Sequence, residues 1–326
     1  MSLQIPGPTY TGKIREVTLG TGENSVTAGG QKTFNYHVFD GDGHRGPLVA
    51  MEVRDEIPEN WPEACLVPYG SALNDPATWA RVNVEKYQAR AIALHLASID
   101  PMGSNRSAAE AVKTVEAVLK TVEVPLLIFG CDHLQKDAEV LKLVAEVAAG
   151  RNVAIGPVQE KNYKAIGAAA IAYRQVVIAS SPIDVNLAKQ LNILLLELGV
   201  PENKIIIDPT TGGLGYGLEY TYSVMERDRI AALIQQDDKL GFPMVCNLAK
   251  EVWKTKEAIL PRSENPAMGD EKTRGIMMEA ITAALLTLAG ADIVVMRHPA
   301  AAKLFLDWSA ELMTPVLNKP VNPEQI

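Results

Sequence analysis

The chain has little of several things that would settle its chemistry quickly. Its three cysteines, Cys65, Cys131 and Cys246, stand far apart among 326 residues. They form no C-x-x-C pair, so this chain supplies neither a disulfide framework nor the four thiolates of an iron–sulfur cluster. Isolated thiols of this kind pack as small hydrophobes in a reducing compartment, and a cytoplasmic location is expected. No apolar run reaches the roughly 18 residues that span a bilayer. The opening segment has no apolar leader core, so neither secretion nor membrane attachment is expected. Basic residues are outnumbered, 31 against 39 acidic, for a net charge of −8. With no basic block, that balance excludes a nucleic-acid groove. The common catalytic strings are missing as well: there is no H-E-x-x-H, no G-x-S-x-G, no Walker loop and no G-x-G-x-x-G.

What is there is rhythm. Eight short apolar runs read as buried strands: Leu48–Val53, Ala91–His95, Leu126–Gly130, Val153–Val158, Val176–Ser180, Ile205–Asp208, Met244–Asn247 and Ile293–Arg297. Helical patterns separate most of them. At 107–122, Ala108, Ala111, Val112, Val115, Val118, Leu119 and Val122 recur at steps of three and four, which gives one apolar stripe. Similar segments span 137–149, 163–173, 183–198, 217–236, 271–288 and 300–312, the last opened by Pro299. Alternating strands and helices of this number close most simply into a (β/α)8 TIM barrel, an α/β fold of roughly 250 residues. Residues 46–315 are assigned to it and 316–326 to a tail. Residues 1–45 differ: Lys13–Leu19 and Lys32–Phe39 alternate like strands, with turns at Gly29-Gly30 and Asp40–Gly43. A β-hairpin covering the bottom of the barrel, or an adjoining edge, is expected. Pro58, Pro62, Pro68 and Pro76 make the first connection irregular, with Trp61 and Trp79 pinning it to the body.

Such barrels carry their chemistry at the C-terminal ends of the strands. Read round that rim, the candidates are Glu52, Arg54 and Asp55; His95 and Ser98; Cys131, Asp132 and His133; Gln159 and Glu160; Ser180 and Ser181; Asp208, Thr210 and Thr211; Asn247 and Lys250; Arg297 and His298. This mixed-sign, polar rim suits a large ligand edged with amides, or a partner's polar surface. Competing structural readings stand beside it. Asp132, Ser181 and Asp208 can simply cap the next helix. His95 reads as a core histidine, Arg297 as the partner of a nearby carboxylate, and Lys250 as a surface lysine rather than a Schiff-base former. The sharpest local feature is Asp208-Pro-Thr-Thr-Gly-Gly-Leu-Gly-Tyr-Gly217. Its glycines let the backbone lie close to something, and freed peptide N–H groups there can hold phosphate or amide oxygens. The alternative is a flexible loop that needs positive φ.

Several segments resemble one family: YTGKIREVTLG at 10–20, His44-Arg45-Gly46-Pro47, ALHLASIDP at 93–101, FGCDH at 129–133 and, most specifically, IIIDPTTGGLGYGLEYT at 205–221. This order resembles the small subunit of the corrinoid iron–sulfur protein, whose archaeal counterpart is the delta subunit of the acetyl-CoA decarbonylase/synthase complex. The resemblance implies a heterodimer. A larger partner carries a 4Fe–4S cluster and a corrinoid (cobalamin-type) domain, and the open barrel face caps the corrinoid. The cobalt takes a methyl group from methyltetrahydrofolate through a separate methyltransferase and passes it to acetyl-CoA synthase, in the reductive acetyl-CoA pathway. The residues expected to meet the corrinoid are Asp132, His133, Ser180, Asp208, Thr210, Thr211, Gly212, Gly213, Leu214, Gly215 and Tyr216. No catalytic residue and no metal ligand is expected in this chain. The string Asp42-Gly43-His44-Arg45-Gly46 is one residue short of the D-x-H-x-x-G corrinoid motif and reads as a turn. Two other functions remain open. One is an independent methyltetrahydrofolate:corrinoid methyltransferase or dihydropteroate-synthase-like enzyme, with Asp132, Asp208 and Asn247 holding a pterin. The other is a structural platform for the partner.

Overall fold

The computed structural model describes residues 9–37 and 46–313. Ten strands are present among them: β1 Val17–Leu19, β2 Val26–Ala28, β3 Leu48–Arg54, β4 Ala91–His95, β5 Leu126–Phe129, β6 Ala154–Val158, β7 Val176–Ser180, β8 Ile205–Asp208, β9 Val245–Cys246 and β10 Ile293–Met296. Eight of these, β3 to β10, pair in parallel in the order β8-β7-β6-β5-β4-β3-β10-β9. A single bridge, Ile207 to Met244, joins β8 to β9 and closes the ring. The eight expected strands are therefore the eight barrel strands.

The long outer helices are α1 Pro76–Glu85, α2 Ala108–Thr121, α3 Leu134–Val147, α4 Tyr163–Tyr173, α5 Val185–Leu198, α6 Leu218–Leu233, α7 Glu271–Leu288 and α8 Pro299–Leu312. Local chemistry sets their ends. Ser107 and Glu110 form a reciprocal capping box on α2. Gly199, at φ +101°, ends α5 in the left-handed region that glycine tolerates. Pro299 occupies the first turn of α8, where a missing N–H costs nothing. Val115 and Val118 are fully buried on the apolar stripe of α2, each contributing about 1.5–3 kcal/mol of transfer free energy.

Strand residues alternate between two environments. Val49, Met51, Val53, Ile92, Leu94 and Ile128 pack outward against the helices. Leu48, Ala50, Ala91, Ala93, Leu127, Val176, Ile178, Ile206, Val245, Ile293 and Val295 pack inside the ring, together with Val17, Leu19 and Ala28 of the hairpin. The hairpin thus seals the lower end of the barrel. It is fastened there by Gly20 N–H donating to Asn152 O (3.0 Å) and Arg15 N–H donating to Gly241 O (2.8 Å), both acceptors lying just before barrel strands. Its second strand corrects the sequence reading. Val17, Thr18 and Leu19 pair with Ala28, Thr27 and Val26, whereas residues 32–37 form bends and turns. Positive φ at Gly20 (+74°) and Gly22 (+63°) folds the chain back early, and Tyr36 at φ +64° breaks the expected later strand. Residues 38–45, which hold the Asp40–Gly43 turn and His44, and the tail at 316–326 lie outside the described residues.

The first connection is pinned as expected: Trp61 packs edge-on against Trp79 (5.5 Å between ring centroids) and Tyr69 lies against Trp79 at 5.3 Å. Among the described residues, no helix is long and apolar enough to cross a membrane.

Candidate functional site

The inward series on most barrel strands runs apolar from below and turns polar at the top. β3 continues from Ala50 to Glu52 and Arg54, β4 from Ala93 to His95, β7 from Ile178 to Ser180 and β8 from Ile206 to Asp208. The loops after β9 and β10 continue it with Asn247 and Arg297. These side chains line a cavity of about 860 Å3 at the C-terminal end of the barrel. The period-two geometry of strands aims them there; no loop rearrangement is needed.

The floor is electrostatically structured. Arg297 Nε donates to Glu52 Oε2 (2.6 Å) and its Nη2 to Oε1 (3.2 Å). Its guanidinium lies 3.7 Å from the centroid of Trp61. Burial pushes the Glu52 carboxyl up, but the charge and hydrogen bonds of Arg297 outweigh it, and the carboxyl sits below its usual value. Burial drives His95 down to about 4, so the ring is neutral at pH 7. It stacks on Phe129 at 4.8 Å, and its Nε2 lies 3.5 Å from Asn247 Nδ2. Burial raises Asp208 to about 6, against hydrogen bonds from Ser180 Oγ (2.8 Å) and Thr210 N–H (3.0 Å).

Behind this layer, Glu279 of α7 accepts from Trp253 Nε1 (2.8 Å) and from the N–H groups of Arg297 and His298 (2.5 and 3.2 Å). It thereby positions the strand end that carries Arg297. Above the floor, Lys250 donates to Asp132 (2.7 Å). Several buried polar atoms in residues of the cavity wall have no hydrogen-bond partner in the chain: Ser181 Oγ, Thr211 Oγ1, Asn247 Oδ1 and Arg54 Nε. Such groups are costly when unmet, and they mark where a ligand's polar atoms are wanted.

No nucleophile is primed among the lining residues. Burial and Asp137 push the Cys131 thiol up to about 12. Burial pulls Lys250 down, but Asp132 more than offsets it and keeps the ammonium charged, which does not suit a Schiff base. Among the described residues, no group of three or more His, Cys, Asp or Glu can hold a metal ion.

Of the residues expected to meet a ligand, Asp132, Ser180, Asp208, Thr210 and Thr211 lie on the cavity wall, while His133 and the stretch Gly212, Gly213, Leu214, Gly215 and Tyr216 do not. His133 caps α3, its Nδ1 accepting from Lys136 N–H. The glycine-rich loop closes on itself. Gly212 N–H goes to Thr221 Oγ1 (3.2 Å), and Tyr216 and Gly217 N–H both go to Gly213 O (2.9 and 2.6 Å). Gly213 holds φ +75°, where a Cβ would collide with the Gly217 carbonyl. The backbone approaches its own following helix, and these expected free N–H donors are spent. Leu214 is buried beneath the loop and Tyr216 stands 88% exposed outside it. Sequence reading missed Trp253, Asp100, Lys161 and Gln190, which also line the cavity. It took Trp61 for an anchor alone. His95, read as a core residue, faces the cavity.

The nature of this barrel is decided by comparison. A family model described as CO dehydrogenase/acetyl-CoA synthase delta subunit matches residues 16–323. The chain belongs to this family. A delta subunit of the acetyl-CoA decarbonylase/synthase complex from Archaeoglobus fulgidus is 38% identical over 304 residues, covering 90% of this chain and 67% of that protein. Delta subunit 1 of the complex from Methanosarcina thermophila is 35% identical, covering 96% and 74%. Among solved structures, Xanthomonas albilineans dihydropteroate synthase, in complex with indole-2-carboxylic acid and 6-chloroguanine, matches with a TM-score of 0.58 at 14% identity, over 92% of this chain and 100% of that one. The Thermus thermophilus enzyme gives 0.54 at 16%, over 91% and 99%. The likeness to these synthases is one of fold. In the delta-subunit family, then, this chain contributes a TIM barrel with a sealed base and a polar, unprimed mouth.

Proposed function

We propose that this subunit supplies one wall of a shared methyl-carrier site, its mouth covering one face of a corrinoid held by a larger, 4Fe–4S-containing partner subunit. The observation that carries this reading is the pairing of unmet buried polar atoms with the lack of a primed nucleophile. A cavity of about 860 Å3 is at the upper end of what encloses a drug-sized ligand, so it suits one face of a macrocycle rather than the whole. The residues fit an amide-edged group: Ser181 and Thr211 hydroxyls can donate to amide carbonyls, and Asn247 Oδ1 can accept from an amide N–H.

A bound corrinoid supplies a metal centre that accepts a methyl group, through a methyltetrahydrofolate-dependent methyltransferase, and yields it to acetyl-CoA synthase. This chain's own residues do the rest. They orient the macrocycle edge, and the apolar layers below exclude water from its covered face. A polar contact surface of this kind holds reversibly, as a cover that must be withdrawn at each transfer requires. The relatives are named as subunits of a complex, which does not favour an independent pterin enzyme.

The test uses the assembled heterodimer. Ser181→Ala and Thr211→Val are expected to speed air reoxidation of the reduced corrinoid, followed by its visible spectrum. Unchanged reoxidation in S181A and T211V would falsify the cover. Calorimetry of the isolated chain with methyltetrahydrofolate separates the rival: tight binding, with turnover on free cobalamin, would support an enzyme acting alone.

A further inference from the structure

The ring order places β5 and β9 on opposite sides of the barrel, four strands apart in either direction round eight. Asp132 stands three residues beyond the end of β5, and Lys250 four residues beyond the end of β9. Their side chains nevertheless meet, Nζ to Oδ2 at 2.7 Å. Asp132 holds φ +68°, a left-handed backbone that aspartate tolerates better than most residues. Among the described residues, the other ion pairs around the mouth are local. Arg54–Glu56 and Lys254–Glu251 each join near neighbours in one segment, and Glu52–Arg297 joins paired strands β3 and β10. The Asp132–Lys250 pair instead joins loops from opposite walls of the barrel across the opening.

We propose that the Asp132–Lys250 ion pair is a strap across the mouth, opened by an occupant whose own primary amides replace it. An amide matches both halves: its carbonyl accepts from the Lys250 ammonium and its N–H donates to the Asp132 carboxylate. A carboxylate or ammonium ligand satisfies one half and is repelled by the other. The two side chains are 57% and 45% exposed, so the strap is held weakly and solvent competes for it. This deepens the reading of the mouth as a seat for an amide-edged ligand and rests on it for the choice of occupant. The strap itself stands on geometry alone.

Cys131 provides a built-in reporter. Cys131 is a partly exposed residue of the cavity wall next to Asp132, its thiol held 3.5 Å from Asp137 Oδ1, whereas Cys65 and Cys246 are buried. The full chain is treated with neutral N-ethylmaleimide, and the rate of adduct formation at Cys131 is read by peptide mass spectrometry. Asp132→Asn and Lys250→Gln are compared with the unsubstituted chain. Simple electrostatics moves the two variants in opposite directions: losing the carboxylate favours the thiolate, and losing the ammonium disfavours it. An opened strap moves both the same way. The expected result is faster labelling in both, by about two- to fivefold as befits an exposed pair, with the double variant no faster than the faster single one. Opposite shifts or unchanged rates would overturn the strap. No corrinoid enters this experiment, so its failure and the failure of the proposed function are read separately.

Discussion

Arg297 and Glu52 hold each other by two hydrogen bonds across adjacent strands while Trp61 covers the guanidinium face at 3.7 Å. Both side chains are almost wholly removed from solvent. In such a place the pair's attraction roughly offsets its desolvation, but either partner alone is stranded. Glu52→Ala and Arg297→Ala should each cost about 3–5 kcal/mol in urea unfolding, whereas Glu52→Ala/Arg297→Met should recover much of that loss. The pair also carries a pH signature. Glu52 sits below the ordinary glutamate value of 4.5, so its contribution is complete above that value and fades as pH falls through the lower folded value. Acid unfolding of the Glu52→Gln/Arg297→Met chain should therefore lack this component. Identical acid limbs for the two chains would refute the assignment.

Asp228 of α6 predicts the opposite slope. It is fully buried, and neither carboxylate oxygen has a partner. Burial raises it from 3.8 to about 7. The folded chain therefore binds a proton that the unfolded chain has released between those values, and stability falls as pH rises from about 4 to about 7. The shift corresponds to at most about 4 kcal/mol. Asp228→Asn should flatten that limb of the stability profile. Chemical unfolding at pH 5 and pH 8 checks it, and a variant that keeps the full difference would assign the slope elsewhere.

Thr211 separates binding from folding. Its hydroxyl is buried on the cavity wall with no partner, so Thr211→Val removes an unmet group at nearly constant volume. The variant should be as stable as the parent or more so, by up to about 1 kcal/mol. Under the proposed function, the variant should nonetheless hold a corrinoid-bearing partner domain less well. A stability loss above about 2 kcal/mol would mean that the hydroxyl is satisfied in the folded chain.

Gly213 tests the self-closed loop. With φ at +75° and no room for a Cβ, Gly213→Ala should destabilise the loop by about 1–3 kcal/mol and open it to proteolysis between Thr210 and Gly217. Gly212→Ala, where φ is not in that region, is the control. Equal protease sensitivity in both variants would count against a closed loop.

The barrel was legible because fully buried strands are short, continuous apolar runs, and each ended where the sequence turned polar. The same boundary exposed Glu52, His95, Ser180, Asp208, Asn247 and Arg297, since a side chain two residues past an inward apolar one also points inward. Sequence could not show how far each reaches: His95 has the neighbours of a core residue, stacked on Phe129, yet lines the cavity. Glycine content misled in a physical way. The run from Gly212 to Gly217 does permit close approach, but what approaches is its own Thr221 and Gly213. The hairpin misled because Lys32–Phe39 alternates well, whereas the pairing was decided earlier by the turn at Gly20 and Gly22. Trp253 was hidden because it follows β9 at the end of a short helical turn, Ala249–Val252, with no strand period to orient it.

Val17 and Leu19 stopper the barrel's other end, and this fixes the traffic. Whatever visits the cavity leaves by the doorway it entered, so two visitors can never stand at opposite openings. Successive visitors must take turns at one threshold, and each exchange obliges the previous one to back out first.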